Sequence, residues 1–259
     1  MKTKIYIIII MKSSQTHNVV SPIGIFDSGR GGYYTMEAIR KLLPQYDYLF
    51  YGDAAHMPYG GKTPEQIREY TFAGLQWLFD RGCKLVIIAC NTAAAYSIRV
   101  RQATHPELKT LSVTIPGIEA LIENKVRSTL FLSTTATSES GILPDLAYKY
   151  HYTGSLEIKA CPWLADLIEE DLQTHFDDEK KKEIIRQYVG TSQAESVMLA
   201  CTHYGVRYET FVQLFPDKII IDPSQEAAKN LVDYLHRHPE IEKTLSKWWH
   251  VEEYWTKKL

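Results

Sequence analysis

The chain has 259 residues, of which 45% are hydrophobic and 23% are charged, so it can bury a sizeable core in one large domain or two of ordinary size. The formal net charge of −2 gives no electrostatic reason to expect a nucleic-acid partner. Its 4 cysteines are too few and too scattered for a disulfide scaffold, and none forms the Cys-x-x-Cys pair of a structural zinc site. These properties favour a cytoplasmic protein that acts on a small molecule.

Residues 1–19 are predicted to form an N-terminal extension. Two lysines followed by an apolar run from Ile5 to Met11 imitate a secretory signal peptide. The run lies at the short limit for such a signal, and no cleavage site of small residues follows it. It is also far too short to span a membrane. These features favour an upstream extension, or a translation start at Met11, over secretion.

Strand and helix patterns alternate along both halves of the chain. Thr63 has the sequence context of a helix N-cap, since a proline follows it and a glutamine lies three residues on. The elements predicted in the first half are strands at 21–26, 48–51 and 85–90 and helices at 33–43, 63–81 and 93–102. Those predicted later are helices at 118–126, 164–172, 177–188 and 224–237, strands at 129–132, 156–160 and 196–201, and an aromatic tail at 247–255 that fits a helix or a strand.

This alternation is typical of parallel sheets that helices cover on both faces. In each half a polar loop follows the first strand and an Ala-Cys pair ends the third, which indicates a weak internal duplication. The predicted fold class is therefore α/β with two related halves. Ligands of such sheets bind at the carboxyl ends of the strands, so both halves are expected to face one site.

The two Ala-Cys pairs carry the strongest chemical indication. An apolar run ends at Cys90 and another at Cys201, and small polar residues follow each. A lone cysteine at a strand end is most often a small buried hydrophobe. Two in matching contexts, each at the start of a helix where a thiol pKa is lowered, favour catalysis. Two thiols on opposite sides of a carbon allow one to remove a proton and the other to return one. Cys83 and Cys161 lack this context and are expected to be structural.

Three other features each allow two interpretations. The glycine-rich segment Asp27–Gly32 lacks the ending of a nucleotide-binding P-loop and fits better a backbone nest for a carboxylate, with Asp27 as an acid or base partner. His203 is either a core histidine or a proton carrier beside Cys201. The loop 133–140 is either a plain turn or a source of hydroxyl donors to a ligand.

Four motifs stand in the order and spacing of the glutamate racemases, and the similarity covers about 22–228. They are Ile23-Gly24-Ile25-Phe26-Asp27-Ser28-Gly29-x-Gly31-Gly32, Pro58-Tyr59-Gly60, Ala89-Cys90-Asn91-Thr92 and Cys201-Thr202-His203-Tyr204. The segment Thr134-x-x-Thr137 resembles the threonine loop of that family, and Glu169 falls where the family has a glutamate near its second cysteine. The chain therefore resembles a glutamate racemase over nearly its whole length.

The resemblance implies a cofactor-independent racemase of two pseudo-symmetric parallel-sheet α/β domains, with the active site between them, no metal, and Cys90 and Cys201 as the two bases. Asp27 would assist Cys90, while His203, with Glu169, would assist Cys201. The residues expected to hold the substrate are Asp27, Ser28, Pro58, Tyr59, Gly60, Asn91, Thr92, Thr134, Thr137, Thr202 and His203.

The resemblance also implies the biological setting. The reaction expected is racemisation of L-glutamate to D-glutamate for peptidoglycan synthesis, in a cytoplasmic homodimer with no nucleic-acid or membrane partner. Because the family's chain crosses to the second domain and returns near its end, we expect a first domain at 20–114 plus 223–259. The second domain is then expected at 115–222.

The chain departs from the family pattern at several positions. Arg30 replaces a small apolar residue between glycines, Tyr33-Tyr34 replace an apolar residue and a threonine, and Gly205 replaces the proline after Cys-Thr-His-Tyr. Glycines common in the family are replaced by Ala200, Ser133 and Ala136. These changes bear on side-chain specificity and loop geometry, and none removes a catalytic group.

Three other functions compete with glutamate racemisation. An aspartate racemase, or one of broader specificity, belongs to the same superfamily, although Asp-Ser-Gly and Pro-Tyr-Gly favour glutamate. A cysteine hydrolase or transferase using Cys201 and His203 would not need Cys90. A non-catalytic protein is a further alternative, since some family members are proposed to bind DNA gyrase, but the charge and the intact thiol pair give no reason to prefer it.

Overall fold

The computed structural model of the protein describes residues 20–171, 178–247 and 250–257. The predicted N-terminal extension, the start of the predicted helix at 177 and the tail tryptophans Trp248 and Trp249 lie outside the described residues. The strands are β1 (Ile23–Asp27), β2 (Tyr48–Gly52), β3 (Leu85–Ile88), β4 (Lys109–Ser112), β5 (Ser128–Ser133), β6 (Ser155–Ala160), β7 (Ser196–Ala200), β8 (Ile219–Ile221) and β9 (Val251–Trp255).

Helices connect most of these strands in the described part of the chain. Thr63 caps its helix as predicted: its side chain accepts from the Gln66 amide while Gln66 reaches back. The helices are α1 (Gly31–Leu42), α2 (Pro64–Asp80), α3 (Asn91–Thr104), α4 (Thr114–Glu123), α5 (Thr135–Glu139), α6 (Ile142–Lys149), α7 (Leu164–Asp171), α8 (Asp178–Val189), α9 (Thr202–Gly205), α10 (Tyr208–Leu214), α11 (Pro223–Arg237) and α12 (Pro239–Glu242).

The strands form two parallel sheets with the same internal order. Within the described residues one sheet has the order β4-β3-β1-β2-β9 and the other the order β6-β5-β7-β8. In both, the first strand of the half is flanked by its second and third strands, and the fourth lies beyond the third. All pairings in both sheets are parallel. The predicted α/β fold of two pseudo-symmetric parallel-sheet domains is therefore confirmed.

Each sheet is buried on both faces, as parallel sheets are in α/β folds. In the first sheet Ile25 packs with α1 and α11 on one face, while Phe26 packs with α2 and α3 on the other. In the second sheet Leu132 faces the core below α7 and α8, while Phe131 faces the core below α4 and α6. The strands therefore serve as rigid supports for the loops at their carboxyl ends.

The chain crosses between the sheets twice, after β4 and after β8. The helix α11 follows β8, yet its Ala228, Leu231 and Leu235 belong to the core of the first sheet. On this basis we propose the division expected from the sequence, with 20–114 plus 223–259 as the first domain and 115–222 as the second. The helix α4 belongs to the second, because Ile118 and Leu121 pack with Phe131.

Several elements differ from the sequence predictions, among them β4 and α4. The strand β4 was not predicted, because Lys109-Thr110-Leu111-Ser112 carries one large apolar residue and lies at the sheet edge. The helix α4 begins at Thr114 rather than Ile118, since Pro116 falls in the first helical turn, where its missing N–H costs nothing. It ends at Glu123 rather than residue 126.

The aromatic tail contains a strand, β9, which pairs with β2 at the sheet edge. The ring of Tyr254 stacks on Trp77 with centroids 4.5 Å apart and lies 5.3 Å from Tyr51. Trp255 packs against Phe50 at 5.0 Å. The alternation of side chains on a strand places these two aromatic residues on opposite faces, which a helix would not do. Among the residues described, no helix has the length and apolar character to cross a bilayer.

Candidate active site

A cavity of about 230 Å³ opens at the carboxyl ends of the two sheets. Loops from both halves enclose it. The sequence predicted a site at this place, where the carboxyl ends of the strands meet. Both Cys90 and Cys201 line it. The other lining residues are Ser28, Met57, Pro58, Tyr59, Gly60, Gly61, Asn91, Thr92, Thr134, Thr135, Cys161, Pro162, Trp163, Ala165, Asp166, Thr202 and His203.

Cys90 occupies the N-cap of α3, and Ala89 separates it from the end of β3. Its Sγ accepts a hydrogen bond from the Ala93 amide at 3.4 Å and lies 3.2 Å from Ser28 Oγ. Burial raises the pKa of this thiol to about 12, the charge of Asp27 adds to the rise, and the bonds from Ser28 and Ala93 oppose it. Cys90 is therefore held as a neutral thiol with a hydroxyl in contact.

Cys201 occupies the equivalent position after β7 and has an imidazole as its neighbour. The Sγ lies 4.0 Å from Nδ1 of His203, and the other ring nitrogen lies 2.8 Å from Oε2 of Glu169. Burial lowers the pKa of His203, but contacts with Cys201 and Glu169 and the charge of Asp27 outweigh it and raise the value to about 10. A protonated ring at this place stabilises negative charge on the sulfur.

Asp27 ends β1 and is fully buried. Its Oδ1 accepts from the Gly29 amide at 2.8 Å, and its Oδ2 accepts from Thr202 Oγ1 at 3.3 Å. The glycine-rich turn thus binds the chain's own carboxylate, whereas the sequence suggested a nest for a separate one. Its bond from Thr202 connects this carboxylate to the second half of the chain. The thiol that Asp27 was expected to assist, Cys90, belongs to the first half.

Threonine hydroxyls from both halves meet beside the thiols. Thr92 Oγ1 lies 2.8 Å from Thr134 Oγ1 and 3.0 Å from Thr137 Oγ1, and the latter two lie 2.9 Å apart. Thr134 caps α5 through the Thr137 amide at 3.2 Å. The predicted loop 133–140 is therefore a capped helix start that carries hydroxyls, and not a plain turn. Thr137 is buried behind Thr134 rather than in the cavity lining.

The loop after β2 supplies Pro58, Tyr59 and Gly60, all in the cavity wall. Tyr59 OH donates to Asp53 Oδ2 at 2.6 Å. The other carboxylate oxygen, Asp53 Oδ1, accepts from Thr256 Oγ1 at 2.7 Å, and Thr256 follows β9 directly. The wall of the cavity is in this way attached to the last described part of the chain.

Several lining residues were missed by the sequence analysis. Met57, Trp163 and Asp166 line the cavity, and Cys161, expected to be merely structural, borders it as well. Trp163 is 79% exposed and has a positive φ of 71°, which is uncommon for a bulky residue. Its only sequence indication was its place after Cys161-Pro162, at the end of a strand.

The two halves approach closely where α1 meets α9. A Cβ added at Gly31 would lie 2.6 Å from Thr202 Oγ1 and 2.8 Å from both the backbone nitrogen and Nδ1 of His203. No side chain fits there, so this glycine brings the first sheet's loop directly against the segment that carries His203. Among the residues described, no group of three or more His, Cys, Asp or Glu side chains is arranged to hold a metal ion.

Comparison with known proteins places the chain in a family. The model of the Asp/Glu/Hydantoin racemase family matches residues 34–231. The chain belongs to this racemase family. It is 35% identical over 242 residues to a glutamate racemase of Ruegeria pomeroyi, covering 85% of this chain and 87% of that protein. A glutamate racemase of Aquifex aeolicus is 32% identical, over 82% of this chain and 83% of its own.

Solved racemases share the fold. The crystal structure of a glutamate racemase from Francisella tularensis in complex with D-glutamate superposes with a TM-score of 0.79 and 26% identity, covering 91% of this chain and 87% of that one. A glutamate racemase from Thermus thermophilus in complex with β-chloro-D-alanine gives a TM-score of 0.75 at 29% identity, over 92% and 88% of the two chains. The similarity to glutamate racemases that the four motifs predicted is confirmed.

Two departures from the family pattern lie in contact with each other. A Cβ added at Gly205 would lie 2.8 Å from Cε1 of Tyr34, and Tyr34 OH accepts from Gln225 at 2.9 Å. The tyrosine therefore occupies space that a larger residue at position 205 would need. The small residue at position 205 and the large residue at position 34 are therefore sterically matched.

Gly205→Ala is expected to reduce the free energy of unfolding by about 1–3 kcal/mol through overpacking. The added methyl would push against the Tyr34 ring, so the loss should shrink in the Tyr34→Ala background. Urea unfolding of the two single variants and the double variant measures this coupling. Additive losses would contradict the contact. Gly61→Ala is the matched control, because nothing lies within 4 Å of its added Cβ.

Asp27→Asn is expected to stabilise the protein at neutral pH. Burial raises the Asp27 pKa from 3.8 to about 6, and the charge of His203 only partly opposes this. The folded state therefore binds the Asp27 proton more tightly than the unfolded state does. This difference adds to the free energy of unfolding below pH 3.8, and the added stability is lost as the pH rises through about 6. Asparagine does not titrate, so the free energy of unfolding of Asp27→Asn relative to the wild type should increase by roughly 2–3 kcal/mol between about pH 4 and about pH 7.5.

Urea unfolding at the two pH values measures this difference. Asp80→Asn is the matched control, because Asp80 is exposed and ends α2. An advantage of Asp27→Asn that stays constant with pH would mean that the buried carboxyl does not titrate as stated.

Proposed function

We propose that the protein interconverts L- and D-glutamate without a cofactor, using Cys90 and Cys201 as two bases. The observation that carries the proposal is the equivalent placement of the two thiols. Each follows the third strand of its half, each occupies a helix N-cap, and both line one cavity. A single base would return the proton to the face it left, whereas a thiol on each face exchanges the configuration.

The surroundings of the sulfurs support different resting states. Cys90, with its raised pKa and its contact to Ser28, is suited to donate a proton. Cys201 faces the protonated ring of His203, which suits a thiolate that accepts one. After one turnover the two protonation states are exchanged, so the enzyme is ready for the opposite enantiomer. Glu169 would keep the imidazole oriented throughout.

The polar lining fits the two ends of an amino acid. Asn91 Oδ1 is a buried acceptor without a hydrogen-bond partner in the described part of the chain, which suits an ammonium group. Ser28, Thr92 and Thr134 offer hydroxyl donors, which suit carboxylates, whereas the Thr202 hydroxyl already donates to Asp27 and can only accept from a ligand. Donors that hold the α-carboxylate also stabilise the negative charge that develops when the α-proton leaves.

The names of the relatives support the choice of substrate, and the setting is proposed from the family resemblance of the sequence. Curated relatives that cover most of the chain are named glutamate racemases, and one solved relative binds D-glutamate. We accordingly propose glutamate as substrate, a role in supplying D-glutamate for peptidoglycan, a cytoplasmic location and a homodimeric state. An aspartate or broader-specificity racemase is the alternative within the family.

One assay tests the reaction directly. The protein is incubated with L-glutamate in D₂O, and α-deuteration is followed by NMR together with loss of optical rotation. Each molecule that is inverted to D-glutamate should carry an α-deuterium, and L-aspartate should react much more slowly. Deuteration of aspartate at the higher rate would favour the alternative, and no deuteration of either would overturn the proposal.

Racemisation is expected to survive EDTA and reagents that trap pyridoxal phosphate. The sequence has no nucleotide-binding fingerprint and no zinc-site spacing, and the two thiols can carry both proton transfers themselves. The rate of racemisation is measured before and after treatment, and again after adding back divalent metal ions. Activity that disappears with the chelator and returns with a metal would contradict a cofactor-independent reaction.

A further inference from the structure

Arg30 has no role in the reaction described so far, although it lies near it. It precedes α1 in the first half, where the glutamate racemase pattern has a small apolar residue. Its Nε lies 3.3 Å from Oε1 of Glu169, which belongs to α7 in the second half. The other oxygen of the same carboxylate contacts His203 at 2.8 Å. Glu169 is thus held between two cationic groups.

The burial of these groups indicates what the arginine does. Glu169 is 6% exposed, and its Oε1 has no hydrogen bond within the described residues. The ion pair with Arg30 is then what compensates charge on that oxygen. The arginine side chain is 49% exposed and does not line the main cavity. It therefore acts on the site through Glu169 and not by touching a ligand.

We propose that Arg30 is a positioning residue that fixes Glu169 against His203 and, by sharing the carboxylate's charge, limits how tightly the imidazole beside Cys201 holds its proton. A carboxylate with no second cation would bind the protonated ring more tightly. The ion pair also joins the two halves of the chain. The kinetic part of this inference rests on the proposed racemisation, whereas the electrostatic part does not.

Other charged groups around His203 are unchanged by altering Arg30. Asp27 from β1 and Cys201 after β7 face the ring. Asp166 and Glu170 line a smaller adjoining cavity together with Glu169 and His203. Tyr34 and Asp222 lie against Gly205 at the far end of α9. A change in the titration of His203 caused by replacing Arg30 therefore reports the arginine itself.

The direct test follows the ring nitrogens of His203 by NMR between about pH 7 and about pH 11, assigned with a His203→Asn variant. Removing a cation favours the protonated ring. In Arg30→Met the midpoint should therefore rise by roughly 0.5–1 pH unit, a three- to tenfold change in proton affinity. Arg30→Lys, which keeps the charge, should restore most of the wild-type midpoint. Arg68→Met removes an exposed arginine paired with Glu65 on α2 and should change nothing.

Racemisation kinetics provide the second readout. Because Arg30 does not line the cavity, Arg30→Met should lower kcat with little change in KM, and Arg30→Lys should recover activity. An unchanged His203 midpoint in Arg30→Met, an equal shift in Arg68→Met, or a wild-type ring that stays protonated throughout the range would each overturn the inference. If the His203 midpoint shifts as expected in Arg30→Met, but neither the wild type nor any variant racemises glutamate, the result would count against the proposed function alone.

Discussion

Replacing Cys90 or Cys201 with alanine is expected to abolish racemisation in both directions. Each thiol is proposed to serve one face of the α-carbon, so the loss of either stops both directions. A general acid or base contributes about 10²–10⁴-fold, so the rate should fall by at least about a hundredfold. The initial rates from L- and D-glutamate measure this. Retention of the wild-type rate by either variant would contradict the two-base reaction.

The other two cysteines provide matched controls. Cys83 is buried against Gly24 and Val86, away from the cavity, so Cys83→Ala should remain active. Cys161→Ala should also remain active, although Cys161 borders the cavity. The Cys90→Ala variant also separates the racemase from a cysteine hydrolase or transferase based on Cys201 and His203. Such an enzyme would tolerate Cys90→Ala.

Asp27→Asn and His203→Asn are expected to affect the two enantiomers differently. His203 lies beside Cys201, and the charge of Asp27 acts on Cys90. Each direction begins with deprotonation by a different cysteine. His203→Asn should therefore change the primary deuterium isotope effect mainly for one enantiomer, and Asp27→Asn mainly for the other. Both variants should also lower kcat, by about 10²-fold or more if proton transfer becomes limiting.

The measurement uses α-deuterated L- and D-glutamate with each variant. The products are mirror images, so the equilibrium constant is fixed and kcat/KM must stay equal in the two directions for every variant. The isotope effects in the two directions are not fixed by this relation and can diverge. Equal isotope effects for both enantiomers in both variants would mean that these neighbours are not divided between the thiols. Because Thr202 also donates to Asp27, Thr202→Val tests whether that contact couples the two sides.

The sequence was sufficient to predict the site residues that lie at the ends of strands or at the starts of helices. Asp27 ends β1, and Cys90 and Cys201 follow the ends of β3 and β7, strands whose apolar runs are evident. The Thr134 cap was visible as a polar segment after a strand. Chain order alone places such residues at one edge of a sheet, and the internal duplication brings the two edges together.

What the sequence did not predict depends on contacts between distant segments. Arg30 and Glu169 lie on loops and helices of different halves, so their ion pair has no local pattern. Met57 and Trp163 line the cavity because of how their loops fold. The strand β4 lacks an apolar run since it lies at a sheet edge. The identity of β9 was left open because its aromatic residues suit a helix and a strand equally.

The position of β9 at the edge of the first sheet has a consequence for biosynthesis. The strands β1 to β4 leave the ribosome early, but their partner β9 emerges only after the whole second half has been made. Until then β2 presents an open edge, which in nascent chains is a site for pairing with other molecules. Thr256, which holds Asp53 and through it Tyr59, also follows the second half in the chain. The nascent chain is therefore expected to need protection at β2, and its active site is completed only after β9 and Thr256 have been made.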